Sequence, residues 1–422
     1  MDLVSLRPLR SRNFALLWSA ALVSNVGSWM QTVALGVLVT ARTHQPGWTG
    51  LVAAAAFIPM GLLAPVGGAL ADRLDRRRWL ILTTLAEMVF AAVLSVLAAT
   101  GHDRPDVVVI LAFLGGASAA IGFPAYQAML PDLVPAKDLL GAVSLSTAQF
   151  NLGRVIGPAL AGLTLIHHDY QTAFAINAAS FAAVVVALVL VRLPKPTPVA
   201  TTQTLVARMV DGARVALSEP GCRSAIILIA VVALLGSPFI ALVPAMAIEV
   251  LHGGGGATSL LVTAQGVGAV VAALALVHVA LRLGRGRMLQ GALLLLPVAL
   301  INYGLAPSLW ASAAALFVVG AVYIGVLSGL NTVVQLRAPT EARGRVLSIY
   351  MMGLGVVYPI GAVVQGAIAN HVGLRAVTVG GAAVLLVLLV TARRVLPGMM
   401  AALDDPSPGP VVQPYPVPEE LP

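Results

Sequence analysis

The sequence predicts an all-α membrane protein of twelve transmembrane helices in two six-helix bundles, with both termini cytoplasmic. Three observations carry this expectation: composition, the length of the apolar runs and the placement of positive charge. The chain of 422 residues is 59% hydrophobic and 10% charged, with a mean hydropathy of +0.94. A soluble domain carries roughly 25% charged residues. Too few charged side chains remain here to solvate a surface, so lipid must be the solvent for most of it.

A spanning helix needs about 20 apolar residues. Runs of that kind fall at 14–40, 48–70, 79–100, 107–128, 142–166, 170–191, 224–248, 257–281, 288–305, 309–334, 347–369 and 374–392. The first is too long for a cleavable signal peptide, lacks a small-residue cleavage site and runs straight into the second. The 41 glycines would weaken soluble helices, but small residues let membrane helices approach closely. With the N-terminus inside, 21 of the 25 lysines and arginines lie on the inner side. Only Arg42, Arg104 and Arg375 lie outside, and Arg154 falls within a span. That asymmetry fixes the orientation, and an even number of spans places both ends in the cytoplasm. The net charge of +8 is thus topological. It favours anionic inner-leaflet lipid as a partner and argues against nucleic acid.

The only long internal polar break, 192–223, separates an N-terminal bundle, 1–191, from a C-terminal bundle, 224–395. Pro194, Pro196 and Pro198 stop span 6. Leu205, Met209, Ala213 and Leu217 then recur at helical spacing opposite Arg208, Asp211 and Arg214. That pattern predicts a short amphipathic helix on the inner membrane face, against the alternative of a plain linker. The segment 396–422 is rich in proline and is expected to be disordered or extended. Internal repetition links the halves. Pro131 to Asp138 with Gly141 precedes span 5, and Leu336 to Glu341 with Gly344 precedes span 11, each through a proline, an acid and a glycine.

The sharpest motif joins spans 2 and 3: Gly68, Asp72, Arg73, Asp75, Arg76 and Arg77. Glycine allows close backbone approach. Asp72 can accept hydrogen bonds from a helix N-terminus or an arginine, and the arginines can clamp helix ends or carboxylates. Such a cluster can latch an inner gate; the plainer reading is a topogenic basic loop. In span 5, small residues at Gly153, Gly157, Ala161 and Gly162 make a flat stripe beside Arg154, and Pro158 removes an intrahelical hydrogen bond. Helix packing alone is the plainer reading here.

Gly68 through Arg77 resembles the cytoplasmic signature of the major facilitator superfamily: glycine, three residues, aspartate-arginine, one residue, usually glycine, then two basic residues. Asp75 stands where the family usually has glycine, which adds an acid able to pair with Arg76, Arg77 or Arg78. The run Gly153 to Gly162 resembles the span 5 motif of facilitator antiporters, which in that family marks the direction of transport and here implies export. Arg10 to Trp18, Pro131 to Pro135 and Arg343 to Val346 resemble the branch containing the enterobactin exporter and related drug:proton antiporters. The resemblance covers Leu6 to Val395. It implies a multi-pass protein of the cell membrane that works as a monomer and exports a small amphipathic molecule by alternating access, with proton antiport.

Ionisable residues inside lipid are costly and mark function by default. Arg154 lies about twelve residues into span 5, about 18 Å deep, and Glu87 about eight residues into span 3, about 12 Å deep. Both are candidates for proton coupling, Glu87 against the alternative that it simply pairs or snorkels, and Arg154, also a cavity candidate, against that of a buried structural cation. On span 1, Asn25, Ser28 and Trp29 share a face, where an amide beside an indole suits an amphipathic substrate. The resemblance places spans 1, 4, 7 and 10 around the central cavity, which adds Tyr126, Gln127 and Asn331 as weaker candidates, with Gln335 beside them.

Six of the seven histidines fall on the outer side, and the His167-His168 pair lacks further ligands nearby, so no metal site is expected. No Walker phosphate loop, nucleophile motif or catalytic carboxylate pair is present, so neither an enzyme nor a cofactor is expected. A nutrient importer or facilitator, and a non-transporting membrane scaffold, stay open as alternatives.

Overall fold

The computed structural model describes residues 4–166, 169–191, 205–339 and 342–404, all of which are helix or short connection. A 3₁₀ helix, Val4–Arg10, leads into α1 (Arg12–Thr43), α2 (Pro46–Arg73), α3 (Arg76–Thr100), α4 (Pro105–Leu133), α5 (Leu139–Leu165) and α6 (Tyr170–Leu190). The second half begins with α7 (Leu205–Ser218). One span, Pro220–Val250, follows, made of α8 (Pro220–Val231) and α9 (Phe239–Ala245) with two π-helical turns. Then come α10 (Gly255–Leu283), α11 (Arg285–Leu305), α12 (Leu309–Arg337), α13 (Arg343–Val372), α14 (Leu374–Val395) and α15 (Pro397–Ala401).

Local chemistry sets these boundaries. Proline opens α2, α4 and α8, where its missing N–H costs nothing. Asp75, Asp169 and Ser308 accept hydrogen bonds from the first-turn N–H groups of Arg78, Thr172 and Ala311. The π turns in the Pro220–Val250 span flank α9, where Pro238 and Pro244 supply no N–H. Ser237 N–H instead donates five residues back, to Val232 O at 2.8 Å.

Among the described residues, eleven helices are long and apolar enough to cross a membrane. The expected twelfth, α5, has 27 residues. Gln149, Asn151 and Arg154 keep it below the others in apolarity, and it packs between α1 and α10. The apolar cores segregate by sequence. One large core lies wholly among helices from α7 onward, and two smaller ones lie among α1–α6.

The two halves meet along α2–α13 and α5–α10, and glycine makes both seams possible. Gly50 lies on Ala362 O, Gly61 on Gly355 and Val356, Gly255 on Leu165, and Gly266 on Val155. At the end of the molecule away from the chain termini, Gly47 N–H donates to Asn370 Oδ1 at 2.9 Å, and His44 Nδ1 lies 3.0 Å from Glu249 Oε1. These contacts run from that distal end to mid-depth. Towards the terminal end Gly68 faces open space, and Leu140 and Leu274 are more than four-fifths exposed. The close approaches between the halves thus lie at the distal end and at mid-depth.

Two expectations are corrected. The span expected from 224 starts at Pro220, because Glu219 caps it through Cys222 N–H. Residues 397–404, assigned to a disordered tail, instead form α15 and a strap. Met400 and Leu403 are buried, Gln290 donates to Met400 O at 3.4 Å, and Arg337 donates to Asp404 O at 2.9 Å. Two apolar side chains at a spacing of three, set in a proline-rich run, were enough to fasten it. The linker 192–204, His167-His168, Thr340-Glu341 and the tail beyond 404 lie outside the described residues.

Candidate functional site

The most concentrated chemistry at mid-depth gathers around Trp29 on α1. Gly153 and Gly157 of α5 bring the two helices together. A methyl built at Gly157 would lie 2.6 Å from Trp29 Cβ, and one at Gly153 would lie 2.9 Å from Asn25 Cβ. The small-residue stripe is thus the α1–α5 seam, with Pro158 buried in it. Its far end, Gly162, meets Ser259 of α10, with a built methyl 3.0 Å from Ser259 Cβ.

This close approach positions an aromatic cluster. Trp29 meets Phe150 edge-on at 5.7 Å and Phe57 at 6.4 Å, and Phe57 meets Tyr358 edge-on at 6.0 Å. Such geometries satisfy the ring quadrupoles. The Arg154 guanidinium carbon lies 5.8 Å above the Trp29 ring, within cation–π reach. Tyr323 and Tyr358 lie close enough to Arg154 to act on it electrostatically. Tyr323 is fixed by Ser237 Oγ at 2.9 Å and by Phe239 edge-on at 5.9 Å. The cluster draws on α1, α2 and α5 from one half and on α12 and α13 from the other. Phe57, Phe150, Tyr323 and Tyr358 were not among the sequence candidates. The available signal was scarcity: aromatics are 5% of the chain, and these four sit near the middles of their helices.

The other cavity candidates are distributed differently. Ser28 Oγ lies 3.5 Å from Asn177 Oδ1, and Asn177 donates to Gln31 Oε1 at 2.9 Å. Ser28 therefore belongs to a polar network in the α1–α6 seam rather than to the aromatic face. Tyr126 donates to Gln149 Oε1 at 3.3 Å, tying α4 to α5, and Gln127 is exposed. Asn331 accepts from Gln335 one turn on along α12, towards the terminal end.

The cluster between α2 and α3 divides in two. Asp75 caps α3 through Arg78 N–H at 2.8 Å, so the expected side-chain pairing with a neighbouring arginine is not made. Arg76 donates to Ala128 O at 3.1 Å and faces Asp132 at 3.6 Å, and Arg77 donates to Val189 O at 2.5 Å. These bonds hold α3 to α4 and α6. Asp72 and Arg73 are exposed and make no hydrogen bond or ion pair with the described residues, so the anticipated acceptor role of Asp72 is unused in this conformation.

Glu87 lies about 17 Å from the start of α3, deeper than expected, because α3 begins at Arg76. It falls on the stripe of Leu80, Thr83, Thr84, Ala91 and Leu94 that α3 buries against α4 and α6. Ser95 donates to Gln171 O, and Arg77 to Val189 O. That antiparallel register sets Glu87 level with Ala179 of α6. The half-buried carboxyl has no hydrogen-bond or ion-pair partner among the described residues. The structure does not bring Glu87 and Arg154 together.

Known proteins resemble this chain over most of its length. A family model described as "Transmembrane secretion effector" matches residues 3–417. The staphyloferrin A transporter of Staphylococcus aureus is 32% identical over 158 residues, a match spanning 37% of this chain and 40% of that protein. The multidrug efflux pump Tap of Mycolicibacterium fortuitum is 27% identical over 85% of this chain and 89% of its own length. Macrolide efflux protein A of Streptococcus pyogenes is 22% identical over 86% and 90%. Among solved structures, a bacterial homolog of the human lysosomal transporter Spinster, inward-facing and occupied, superposes with a TM-score of 0.76 at 14% identity, covering 96% of this chain and all of that one. A D-xylose–proton symporter superposes with a TM-score of 0.68 at 13% identity over 89% and 96%. At such identities the two structural likenesses speak to the fold alone.

Proposed function

The chain belongs to the transmembrane secretion effector family of the major facilitator superfamily, multi-span transporters of the plasma membrane, and from that premise we propose that it exports a small amphipathic molecule by proton-coupled alternating access. The observation that carries this reading is the aromatic cluster with Arg154 at mid-depth, built from both halves, where a transporter of this fold exposes its site alternately to each side.

In this proposal α5 is a twelfth span and the terminal end faces the cytoplasm, as the inner excess of arginine favours. The halves part at that end in this reading, which makes the conformation inward-open. Gly68, Asp72 and Arg73, without partners among the described residues, are then the groups that latch against the other half when the inner side closes. Arg76 and Arg77 hold α3, α4 and α6 together as a rigid body in both states, with Asp75 capping α3. Likeness over about 85% of the chain to proteins named for efflux favours export over import. Glu87 is the candidate proton carrier, as an ionisable group at membrane depth without a partner. A proton entering down 100 mV supplies about 2.3 kcal/mol of work.

Inverted vesicles with an imposed pH gradient test this directly. Dye should accumulate while the gradient stands and leak when a protonophore collapses it. Accumulation that continues unchanged after collapse refutes proton coupling. A Glu87→Gln variant that keeps full gradient-driven uptake removes Glu87 from the mechanism.

A further inference from the structure

The charge inventory of the membrane-depth region is short. Among the described residues, only Glu87 and Arg154 are carboxylate or cationic side chains near the middle of a span; the remaining acids and bases cluster at helix ends. Glu87 lies in the seam of α3 with α4 and α6, while Arg154 lies where α5 meets α1 and the other half. The central site therefore carries one positive charge with no compensating acid.

Arg154 also lacks acceptors. It is half-buried and makes no hydrogen bond or ion pair with any described residue. The Trp29 face lies below it, and the phenols of Tyr323 and Tyr358 lie within electrostatic range. A guanidinium presents five N–H donors in a planar fork that matches an oxyanion in two parallel bonds, and it cannot lose its charge. Beside it stand accessible apolar faces: Phe150 is 48% exposed, and Phe57 and Trp29 are half-buried.

Resting on the export reading above, we propose that the transported molecule is an amphipathic anion, whose carboxylate or other oxyanion docks on Arg154 while its apolar body lies against Trp29, Phe57 and Phe150. A cationic amphiphile of the same shape meets like charge at the same place and is rejected. Arg154 is then the residue that sets substrate charge, and the span 5 motif supplies both the helix seam and the docking cation.

Three fluorescent probes sharing one aromatic body test it: pyrenebutyrate, pyrenebutanol and pyrenebutylamine, which are anionic, neutral and cationic at neutral pH. Energy transfer from tryptophan to pyrene in nanodiscs of neutral lipid reads binding. The wild type should bind pyrenebutyrate roughly tenfold or more tightly than pyrenebutylamine, the scale of a hydrogen bond to a charged group. Arg154→Gln should abolish that preference and leave pyrenebutanol within about twofold, and Arg154→Lys should restore part of it. Equal or tighter binding of the amine by the wild type overturns the proposal, as does an anion preference that survives in Arg154→Gln. A variant that weakens all three probes alike shows a structural role and also overturns it. Binding without charge preference leaves the export reading standing. A wild type that binds none of the probes and accumulates no dye in vesicles counts against both.

Discussion

Gly157→Ala and Gly68→Ala are the same chemical change in the two signature motifs, and the structure gives them opposite outcomes. At Gly157 the new methyl lies 2.6 Å from both Trp29 Cβ and Val26 O, and 3.0 Å from Met30 N. Ordinary carbon contacts begin near 3.5 Å, so α1 and α5 must separate by roughly 1 Å. Overpacking of this kind costs about 1–3 kcal/mol. Alanine returns up to about 1 kcal/mol through better helix propensity, so the net effect runs from near zero to about 2 kcal/mol of destabilisation. At Gly68 nothing lies within 4 Å, and only the propensity gain remains. The two variants should differ by about 1–3 kcal/mol. Purified protein should show Gly157→Ala melting several degrees below Gly68→Ala, with Gly68→Ala at or above wild type. Gly157→Ala should also lower transport, because Trp29 is pushed from its place beside Phe150. Equal melting temperatures, or a lower one for Gly68→Ala, would refute the seam geometry.

Trp29→Ala should reduce transport about tenfold or more by removing the centre of the aromatic cluster, whereas Trp310→Ala, at a residue 73% exposed, should transport like wild type. Removing the distal bonds with Glu249→Gln and Asn370→Ala should cost the closed distal end about 1–2 kcal/mol. In a background where the only cysteine, Cys222, is replaced, labelling of Ala362→Cys from the distal side should rise roughly fivefold or more; an unchanged rate rejects the latch. Ending the chain after 395 strips the buried Met400 and Leu403, each worth about 1.5–3 kcal/mol, and should lower the melting temperature; ending it after 404 should not.

Much of the architecture was legible without coordinates. A membrane helix satisfies its backbone within its own segment, so the apolar run alone announces it. The spans read at 48–70 and 374–392 lie inside α2 and α14, with prolines, caps and glycines marking the ends. The helix expected as a span but less apolar than the other eleven, α5, is the one carrying Arg154 and the seam. Its polar residues were legible as a motif but lowered its hydropathy. The candidate site was legible only in part: Trp29, Arg154, Gly153 and Gly157 were named, while Phe57, Phe150 and Tyr358 were not.

The division has a physical cause. Sequence alone determined what each segment does with lipid and backbone: where helices start, how long they run, and which ends carry arginine. Those are properties of contiguous residues. Tertiary structure decided the rotation of each helix about its axis, and so the neighbours of each side chain. It turned Ser28 to Asn177, used Asp75 as a cap, set Glu87 in a seam with α4 and α6, and gathered aromatics from three more helices around Trp29 and Arg154. Glycines far apart in sequence fix that rotation by allowing backbones to touch at single points, and no local pattern records which points meet.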